Sequence, residues 1–347
     1  MKEQRTICLC VARWFFGLVL CILVTHPLPA FSTVVNLSAG VTGAEIQKAL
    51  DQLPAAGGEV ILAAGRHEIR QPIILNRSHQ TLRGSGPATV LRLADGANCP
   101  VVILGSTEAN PSNIVTRLRL ADLTIDGNRA RQTVETWPSP VNNSYIQNNG
   151  VMVQAVADST VERIVAAHCR SGGLVTANGV RRLTVSGFEA FDNEFDGLAC
   201  YRTEESVFTK MNLHDNQAAG ISLDLAFNHN IISDSVLAGN DLGIFMRYSS
   251  GNSFQDLIIR QNRNDGVFMA QAGGETGSGW ALTPGTECAD NRFVEISIAD
   301  CGGAGVRVND VSCANNSIRD AEFSNNTRGG LVQAAAGLVK TERVVER

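Results

Sequence analysis

The sequence predicts an all-β protein that folds as a right-handed parallel β-helix, with coils of about 23 residues and a capping helix at its N-terminal end. A glycine followed by an aliphatic residue recurs along the second half of the chain, mostly at steps of 23 or 24 residues. A fixed period of this length is typical of proteins built from stacked coils. The residues one and three places after each glycine are mostly apolar, which is the pattern of a strand with one buried face.

The repeat begins at residue 150 and continues close to the C-terminus. Its glycines are Gly150, Gly173, Gly197, Gly220, Gly243, Gly266, Gly305 and Gly330. A second strand-like run follows about ten residues later, without a helical pattern in between. Asparagine or cysteine stands four residues before most of these glycines, and stacked asparagine side chains can bond neighbouring coils. Cys169 and Cys301 share this position, so we expect both to be buried thiols.

The N-terminus reads as a segment separate from the repeat. Lys2, Arg5 and Arg13 precede the apolar run "WFFGLVLCILV", and "HPLPA" ends on the small residue Ala30. This order is typical of a secretory signal peptide. A membrane anchor is the alternative, but the apolar run is shorter than the ~20 residues that cross a bilayer. We therefore predict a signal peptide over residues 1–30 and one domain over residues 31–347. The protein would then be secreted, periplasmic or at the cell surface, with no membrane partner after signal removal.

The charge balance argues against a nucleic-acid partner. The chain has 29 basic and 34 acidic residues, and it contains no basic run. Proteins that bind nucleic acids carry a patch or stripe of basic residues, and this sequence has no such run. An anionic substrate would have to be held by a local cation.

Cysteine spacing indicates one disulfide and no metal site. Cys288 and Cys313 begin the similar stretches "CADNRF" and "CANNSI" in adjacent coils. Their Cα atoms should lie near the strand spacing of ~4.8 Å, which a disulfide can span. We predict a bridge between them, with two free thiols as the alternative. The sequence has no Cys-x-x-Cys pair and no His/Cys spacing typical of zinc, so no metal site is predicted.

The segment before the repeat resembles a known family. "TGAEIQKALDQLP" is predicted to be an amphipathic helix, with Thr42 and Glu45 at capping-box spacing and an apolar face that would close the end of the stack. Together with "GGEVILAAGRHEI" and "TLRGSG", it resembles the opening coils of the pectin-lyase-like superfamily of extracellular right-handed β-helix proteins. The resemblance covers about residues 36–335. It implies a polysaccharide partner and a site on the outward face of the first parallel sheet, which the glycine strands form.

Residues four places after the repeat glycines point outward and predict the site. Tyr201, Asp224 and Arg247 hold this position in three consecutive coils, so we expect them in one line as the catalytic residues. Removing the C5 proton of a uronate sugar needs a base and a cation beside the carboxylate. Arg247 would neutralise that carboxylate and Tyr201 would donate or accept the proton. Asp224 would orient Arg247 or bind a calcium ion, the one cofactor considered.

Further residues are predicted to bind the substrate around this line. They are Arg202, Tyr248, Asp196, Phe245, Trp137 and Trp280. The two tryptophans belong to long loops, which in solenoids often border the binding surface. Trp280 has the alternative role of covering Phe245 and Phe268.

The reaction remains open between several classes at this point. Lyase or epimerase chemistry on a uronate-containing glycan is favoured. A non-catalytic protein that binds glycans or serves as a surface structure is the first alternative, because a line of Tyr, Asp and Arg also stabilises adjacent strands. A glycoside hydrolase is the second, although its two carboxylates should lie roughly 5–9.5 Å apart. Asp196 and Asp224 are offset by about 16 Å along their strands, which disfavours hydrolysis.

Overall fold

The chain folds as a parallel β-solenoid in the computed structural model, which describes residues 33–136, 146–271 and 286–347. Paired strands of successive coils run parallel, and the predicted fold class is confirmed. Within the described residues, helix is confined to the α-helix Gly43–Asp51 and the 3-10 helix Arg129–Arg131. None of the helices in these ranges is long and apolar enough to cross a membrane.

The strands form three sheets along the axis of the solenoid. Sheet 1 holds ten strands, which include those after the repeat glycines: Ile73–Leu75, Val102–Gly105, Val151–Gln154, Leu174–Ala177, Leu198–Tyr201, Ala219–Asp224, Leu242–Arg247, Val267–Ala270, Val306–Val308 and Leu331–Gln333. Sheet 2 holds sixteen: Thr33–Leu37, Gly58–Leu62, Gly65–Ile69, Gln80–Arg83, Thr89–Leu93, Arg119–Asp126, Thr160–Ala167, Thr184–Ser186, Glu189–Phe191, Val207–Thr209, Asn212–His214, Ile231–Ala238, Ser253–Arg260, Arg292–Ala299, Asn316–Ser324 and Val339–Glu346. Sheet 3 holds four short strands at one corner: Val115–Thr116, Val156–Ala157, Val180–Arg181 and Thr203–Glu204.

The repeat glycines are explained by the close approach of neighbouring coils. A Cβ atom on Gly197 would lie 2.9 Å from the carbonyl oxygen of Gly220, and one on Gly243 would lie 2.4 Å from that of Gly266. Each glycine thus stacks on the next one, with no space for a side chain. The period seen in the sequence is a steric requirement of the stack.

The core is a continuous column of aliphatic and aromatic side chains inside the coils. The residues one place after the first seven repeat glycines, such as Leu198 and Ile221, are fully buried, and Leu331 is partly buried. Phe254 and Phe293 of adjacent coils stack with ring centroids 4.4 Å apart. Inward and outward residues therefore alternate along the strands of sheet 1, as the sequence predicts.

Two ladders of buried asparagines tie the coils together at the corners. In the predicted ladder, Asn216 donates to Oδ1 of Asn240 at 3.0 Å and to the carbonyl oxygen of Ala190 at 3.1 Å. Cys169 and Cys301 share its position and are buried free thiols, as predicted. A second ladder precedes the strands of sheet 2 and was not predicted. Its members are Asn230, Asn252, Asn291 and Asn316.

The N-terminal helix Gly43–Asp51 begins with the predicted capping box. The side chain of Thr42 accepts from the backbone N–H of Glu45, and the Glu45 carboxylate accepts from the backbone N–H of Thr42 at 2.7 Å. Both bonds satisfy N–H groups that would otherwise lack partners at the start of a helix. The helix itself is thus confirmed.

This helix packs on the first coils. Ile46 and Leu50 are fully buried in the core. The amide of Gln47 bonds the backbone of Ile74 in both directions, donating at 3.1 Å and accepting at 2.7 Å. Gln47 thereby pairs with the first strand of sheet 1. That the helix shields the end of the core from solvent stays a prediction.

The last coil places polar side chains where earlier coils have core residues. Thr341 lies beside Ile318, and Glu346 lies beside Phe323. The Glu346 carboxylate accepts from the backbone N–H of Gly330 at 2.6 Å. Terminal repeats of solenoids commonly carry such a polar outer layer.

Candidate functional site on the outward face of sheet 1

The structure brings the three predicted catalytic residues into one file. Tyr201 pairs with Asp224 across adjacent strands. Leu223 pairs with Met246, so Arg247 follows directly beyond Asp224. Their alignment on three consecutive coils agrees with the prediction, while their chemical roles stay predictions.

Asp224 and Arg247 form an ion pair with a buried carboxylate and an accessible cation. Asp224 is 4% exposed, whereas the side chain of Arg247 is 44% exposed. Nε of Arg247 donates to Oδ2 of Asp224 at 2.9 Å, and Nη2 also donates to this oxygen. The backbone N–H of Leu225 donates to Oδ1 at 2.7 Å. Asp224 therefore orients Arg247, and the hydrogen bond between them raises the pKa of the guanidinium.

Tyr201 lies beside this pair in an environment that keeps its phenol neutral. Burial raises the pKa of Tyr201 well above its ordinary value, and the charges of Asp196 and Asp224 raise it further. The Ser222 side chain acts in the opposite direction. A phenol of this kind holds its proton at neutral pH and is a weaker acid than an ordinary tyrosine.

Asp196 has a carboxyl group that exchanges its proton near neutral pH. Burial raises the pKa of Asp196 to about 7, although the residue keeps a minor part of its surface accessible. Its Oδ1 accepts from the backbone N–H of Ala219 at 2.9 Å, which opposes the shift. The charge of Asp196 contributes to the raised pKa of Tyr201, which lies five residues further along the chain. A carboxyl with this pKa is suited to general base catalysis.

The face of sheet 1 before Tyr201 is apolar and covered. Its outward residues Ile103, Met152, Val175 and Ala199 pack with Ile146 in a second cluster separate from the core, and Tyr201 packs against this cluster. Gln154 holds the same repeat position as Arg247 but is 1% exposed. Its amide donates to the carbonyl oxygen of Glu108.

Gly105 explains how the covering segment leaves the sheet. Its φ of 96° is a left-handed conformation, and a Cβ there would lie 2.0 Å from the carbonyl oxygen of Gln154. The chain can therefore turn over the sheet immediately after the strand Val102–Gly105.

A second Asp–Arg pair lies on the same face and was not predicted. Oδ2 of Asp265 is 3.3 Å from Nε of Arg307 in the next coil. The guanidinium lies over the ring of Phe268, 4.4 Å from its centroid. Phe268 stacks on the predicted substrate-binding residue Phe245, with centroids 5.7 Å apart. The sequence contains a pattern that could have predicted this pair. The outward position two places after the repeat glycines is occupied in turn by Phe245, Phe268 and Arg307.

Arg202 and Tyr248 lie around the corner from the catalytic file. Both residues follow a strand of sheet 1 in the left-handed conformation, with φ of 49° and 50°. They line a cavity of about 400 Å³ together with Arg181 and Glu204. Nη1 of Arg202 donates to Oδ1 of Asn178 at 2.8 Å. Their predicted contact with substrate therefore requires a ligand that extends over this corner.

Trp137 and Trp280, the two predicted aromatic contacts, lie outside the described residues. Cys288 and Cys313 are both described, and both are free and buried. The predicted disulfide is thus not formed in the structure. Sγ of Cys288 donates to the carbonyl oxygen of Ala270 at 3.2 Å. The disulfide stays a prediction.

The residues around Asp224 do not fit the calcium ion considered from the sequence. Both carboxylate oxygens of Asp224 already accept hydrogen bonds, from Arg247 and from the backbone of Leu225. Calcium takes six to eight oxygen ligands. Within the ranges given above, no group of three or more His, Cys, Asp or Glu residues could hold a metal. Arg247 supplies the positive charge at this position.

Comparisons with known proteins agree with the fold. The family described as "Right handed beta helix region" matches residues 121–240 and 225–341. No curated protein matches the chain in sequence. The structure resembles the A-module of mannuronan C-5 epimerase AlgE4 from Azotobacter vinelandii, with a TM-score of 0.67 and 18% identity over 90% of this chain and 96% of that one.

Two other solved structures have similar coils. ORF18 of Geobacillus virus E2 has a TM-score of 0.64 and 14% identity over 90% of this chain, which spans 60% of that protein. An exopolygalacturonase from Thermotoga maritima has a TM-score of 0.58 and 10% identity over 91% of this chain and 92% of that one. At such low identities the resemblance concerns the fold alone.

Proposed function

We propose that this chain, which belongs to the right-handed β-helix family of the pectin-lyase-like type, is an exported lyase or epimerase of a uronate-containing glycan. The observation that carries the proposal is the arrangement of four side chains on the outward face of sheet 1. A buried Asp224 orients the half-exposed Arg247, and the charges of Asp224 and Asp196 both act on Tyr201. The epimerase and the exopolygalacturonase named above act on glycans on the same fold, which supports the substrate class. The predicted signal peptide over residues 1–30 supports export.

Arg247 acts first, as the residue that binds the uronate carboxylate. Its guanidinium is held by Asp224, and its accessible surface offers further N–H donors. Pairing with the carboxylate stabilises the negative charge that develops when C5 loses its proton. The cation is already in place before the substrate arrives, so little reorganisation is needed.

Asp196 and Tyr201 then divide the proton transfers. The ionised carboxyl of Asp196 takes the C5 proton, and its pKa of about 7 matches this task at neutral pH. In a lyase reaction the C5–H electron pair forms the C4–C5 double bond, the C4–O4 bond breaks, and Tyr201 protonates the departing oxygen. In an epimerase reaction Tyr201 returns a proton to C5 from the opposite face of the ring. Each path conserves atoms and electrons without an added oxidant or reductant.

The proposal is tested by incubating the purified protein with galacturonan, mannuronan and guluronan. A lyase produces ultraviolet absorbance from the unsaturated sugar, and an epimerase changes the uronate composition measured by NMR. Arg247→Gln should slow product formation by about 10²–10³-fold, whereas Arg319→Gln, on the exposed side of sheet 2, should leave it unchanged. New reducing ends without unsaturation would identify a hydrolase instead. Glycan binding without any product would identify a binding protein.

A further inference from the structure

The face of sheet 1 beyond Arg247 repeats the arrangement of the catalytic pair. Asp224 and Asp265 are each 4% exposed, and each faces an arginine of the following coil. The Arg247 guanidinium carbon lies 5.8 Å from the Phe245 ring centroid, and that of Arg307 lies 4.4 Å from the centroid of Phe268. Two arginines thus border a platform of two stacked phenylalanines.

In the second pair, Asp265 and Arg307, a backbone N–H group holds the carboxylate in place. Oδ1 of Asp265 accepts from the backbone N–H of Ala304 at 2.8 Å, which leaves Oδ2 for Arg307 at 3.3 Å. Nε of Arg307 is buried and lies at ion-pair distance from Oδ2 of Asp265, but it makes no hydrogen bond to any described residue. The Arg307 side chain remains 30% exposed, so a ligand on this face meets the cation while the carboxylate lies beneath it.

A cavity of about 310 Å³ lies over this second pair, at the small end of the range for ligand sites. Phe245 and Phe268 form its floor, and Arg307 and the exposed Arg328 line it. Asp241 also lines the cavity, where Oδ1 accepts from Asn264 at 2.8 Å and lies 3.8 Å from Nε of Arg263. The acidic groups here are therefore engaged by protein partners.

The covered half of the face gives a bound chain a direction. On the other side of Tyr201 the outward residues are apolar and packed under Ile146, and Gln154 is buried under the segment that contains Glu108. As far as the described residues show, an extended glycan that reacts at Tyr201 therefore has its open path toward the C-terminal coils, across Phe245 and Phe268.

We propose that Asp265, Arg307 and Phe268 form a distal subsite for a second carboxylate of an acidic glycan chain that extends from Arg247 toward the C-terminal coils. This inference rests on the proposed function for the position of the reacting sugar. Sugar rings stack on the phenylalanines, and Arg307 pairs with a uronate carboxylate. The ring and cation contacts place the two guanidinium groups within about 16 Å of each other, and two coil steps separate them by about 10 Å along the axis. One sugar cannot contact both.

The test measures binding separately from turnover. Fluorescently labelled galacturonates and mannuronates of two and six units are titrated against wild type, Arg307→Gln and the control Arg319→Gln, and polarisation reports the Kd. Arg307→Gln should weaken binding of the hexamer about tenfold and leave the dimer unchanged, because the dimer does not reach the subsite. Arg319→Gln should change neither. High salt should reduce the difference between wild type and Arg307→Gln.

A double variant guards against misfolding of the single one. Arg307→Gln leaves the carboxylate of Asp265 buried without its cation, so Asp265→Asn/Arg307→Gln is measured alongside it. The subsite is refuted if a folded variant binds the hexamer as tightly as wild type does, or if the dimer loses as much affinity as the hexamer. Equal binding of a neutral hexasaccharide by wild type would also overturn it. Hexamer binding that depends on Arg307, without unsaturated product or epimer, would reject the proposed function and retain the subsite.

Discussion

The outward face of sheet 1 has two halves, which have the same strand structure but differ in polarity and in exposure to solvent. Before Tyr201 the face is apolar and buried, with Met152, Val175 and Ala199 packed under Ile146. After Tyr201 it carries two arginines, two buried aspartates and a pair of stacked phenylalanines, with one cavity over Phe245 and Phe268.

This difference shows that alternation along a strand decides to which face of the sheet a side chain points. It does not decide whether that side chain is exposed to solvent. Gln154 and Arg247 occupy the same repeat position and point the same way, yet Gln154 is 1% exposed while the Arg247 side chain is 44% exposed. The segment after Gly105 decides this, because the carbonyl oxygen of Glu108 accepts from the Gln154 amide. The open half is therefore the half available for chemistry.

The largest effect is expected from Arg247→Gln, which removes the cation of the open half. Loss of this charge should reduce kcat by about 10²–10³. It should also destabilise the fold by up to about 3–5 kcal/mol, because Asp224 stays buried without its partner. Kinetics on the polymer that the protein transforms and urea unfolding measure the two effects.

The double variant Asp224→Asn/Arg247→Gln separates chemistry from stability. We expect the unfolding free energy to recover most of the loss, since no buried charge remains, while activity stays low. Activity that returns together with stability would show that Arg247 only supports the fold.

Asp196→Asn should remove both a catalytic base and a pH dependence of stability. The folded pKa of about 7 lies above the ordinary value of about 3.9, so the folded state binds more protons between these values. This contribution to stability is present below about pH 4 and is lost as the pH rises through 7. Wild type should therefore lose about 1–3 kcal/mol between pH 4 and pH 8 that Asp196→Asn does not lose. Urea unfolding at both pH values measures it.

The same carboxyl predicts the pH profile of activity. kcat/KM of wild type should rise with pH and level off above an apparent pKa near 7, as Asp196 ionises. A flat profile between pH 5 and pH 8 would remove Asp196 from the mechanism and leave Tyr201 and the Asp224–Arg247 pair as the site.

A pair of truncations compares the two halves directly. Val175→Ala, in the covered half, should cost about 1–2 kcal/mol of stability through a lost packing contact and leave kcat/KM unchanged. Phe268→Ala, in the open half, should raise KM for long substrates several-fold because the sugar platform is shortened. If Val175→Ala alters KM as well, the covered half contributes to binding.

The smallest effect is expected from oxidation of Cys288 and Cys313. A disulfide would hold the coil beneath the open half, since Cys288 contacts Ala270, the strand partner of Arg247. Alkylation followed by mass spectrometry should find both cysteines protected in protein from an oxidising compartment and labelled after reduction. If the alkylating reagent labels both cysteines of the unfolded protein before reduction, the thiols are free. Activity should differ little between the oxidised and the reduced protein.

The sequence predicts the fold and the file of Tyr201, Asp224 and Arg247 because both follow from one period. Glycine stacking fixes that period, so residues 23 positions apart meet across strands. Asp265 and Arg307 were missed because a step of 39 residues separates their glycines and because they hold different repeat positions. The raised pKa of Asp196 and the burial of Gln154 depend on tertiary contacts that no periodic pattern contains.

Because the glycines stack coil upon coil, the solenoid also fixes the distances between residues of different coils. Arg247 and Arg307 stand on coils whose separation is a whole number of steps, each of about 4.8 Å. Gain of an entire coil between the coil of Arg247 and the coil of Asp265 would lengthen this interval by one step and leave each arginine beside its own aspartate. In relatives of this protein, the number of coils between the two arginines would then set the spacing of the glycan charges that they bind. The surroundings of each arginine would not have to change.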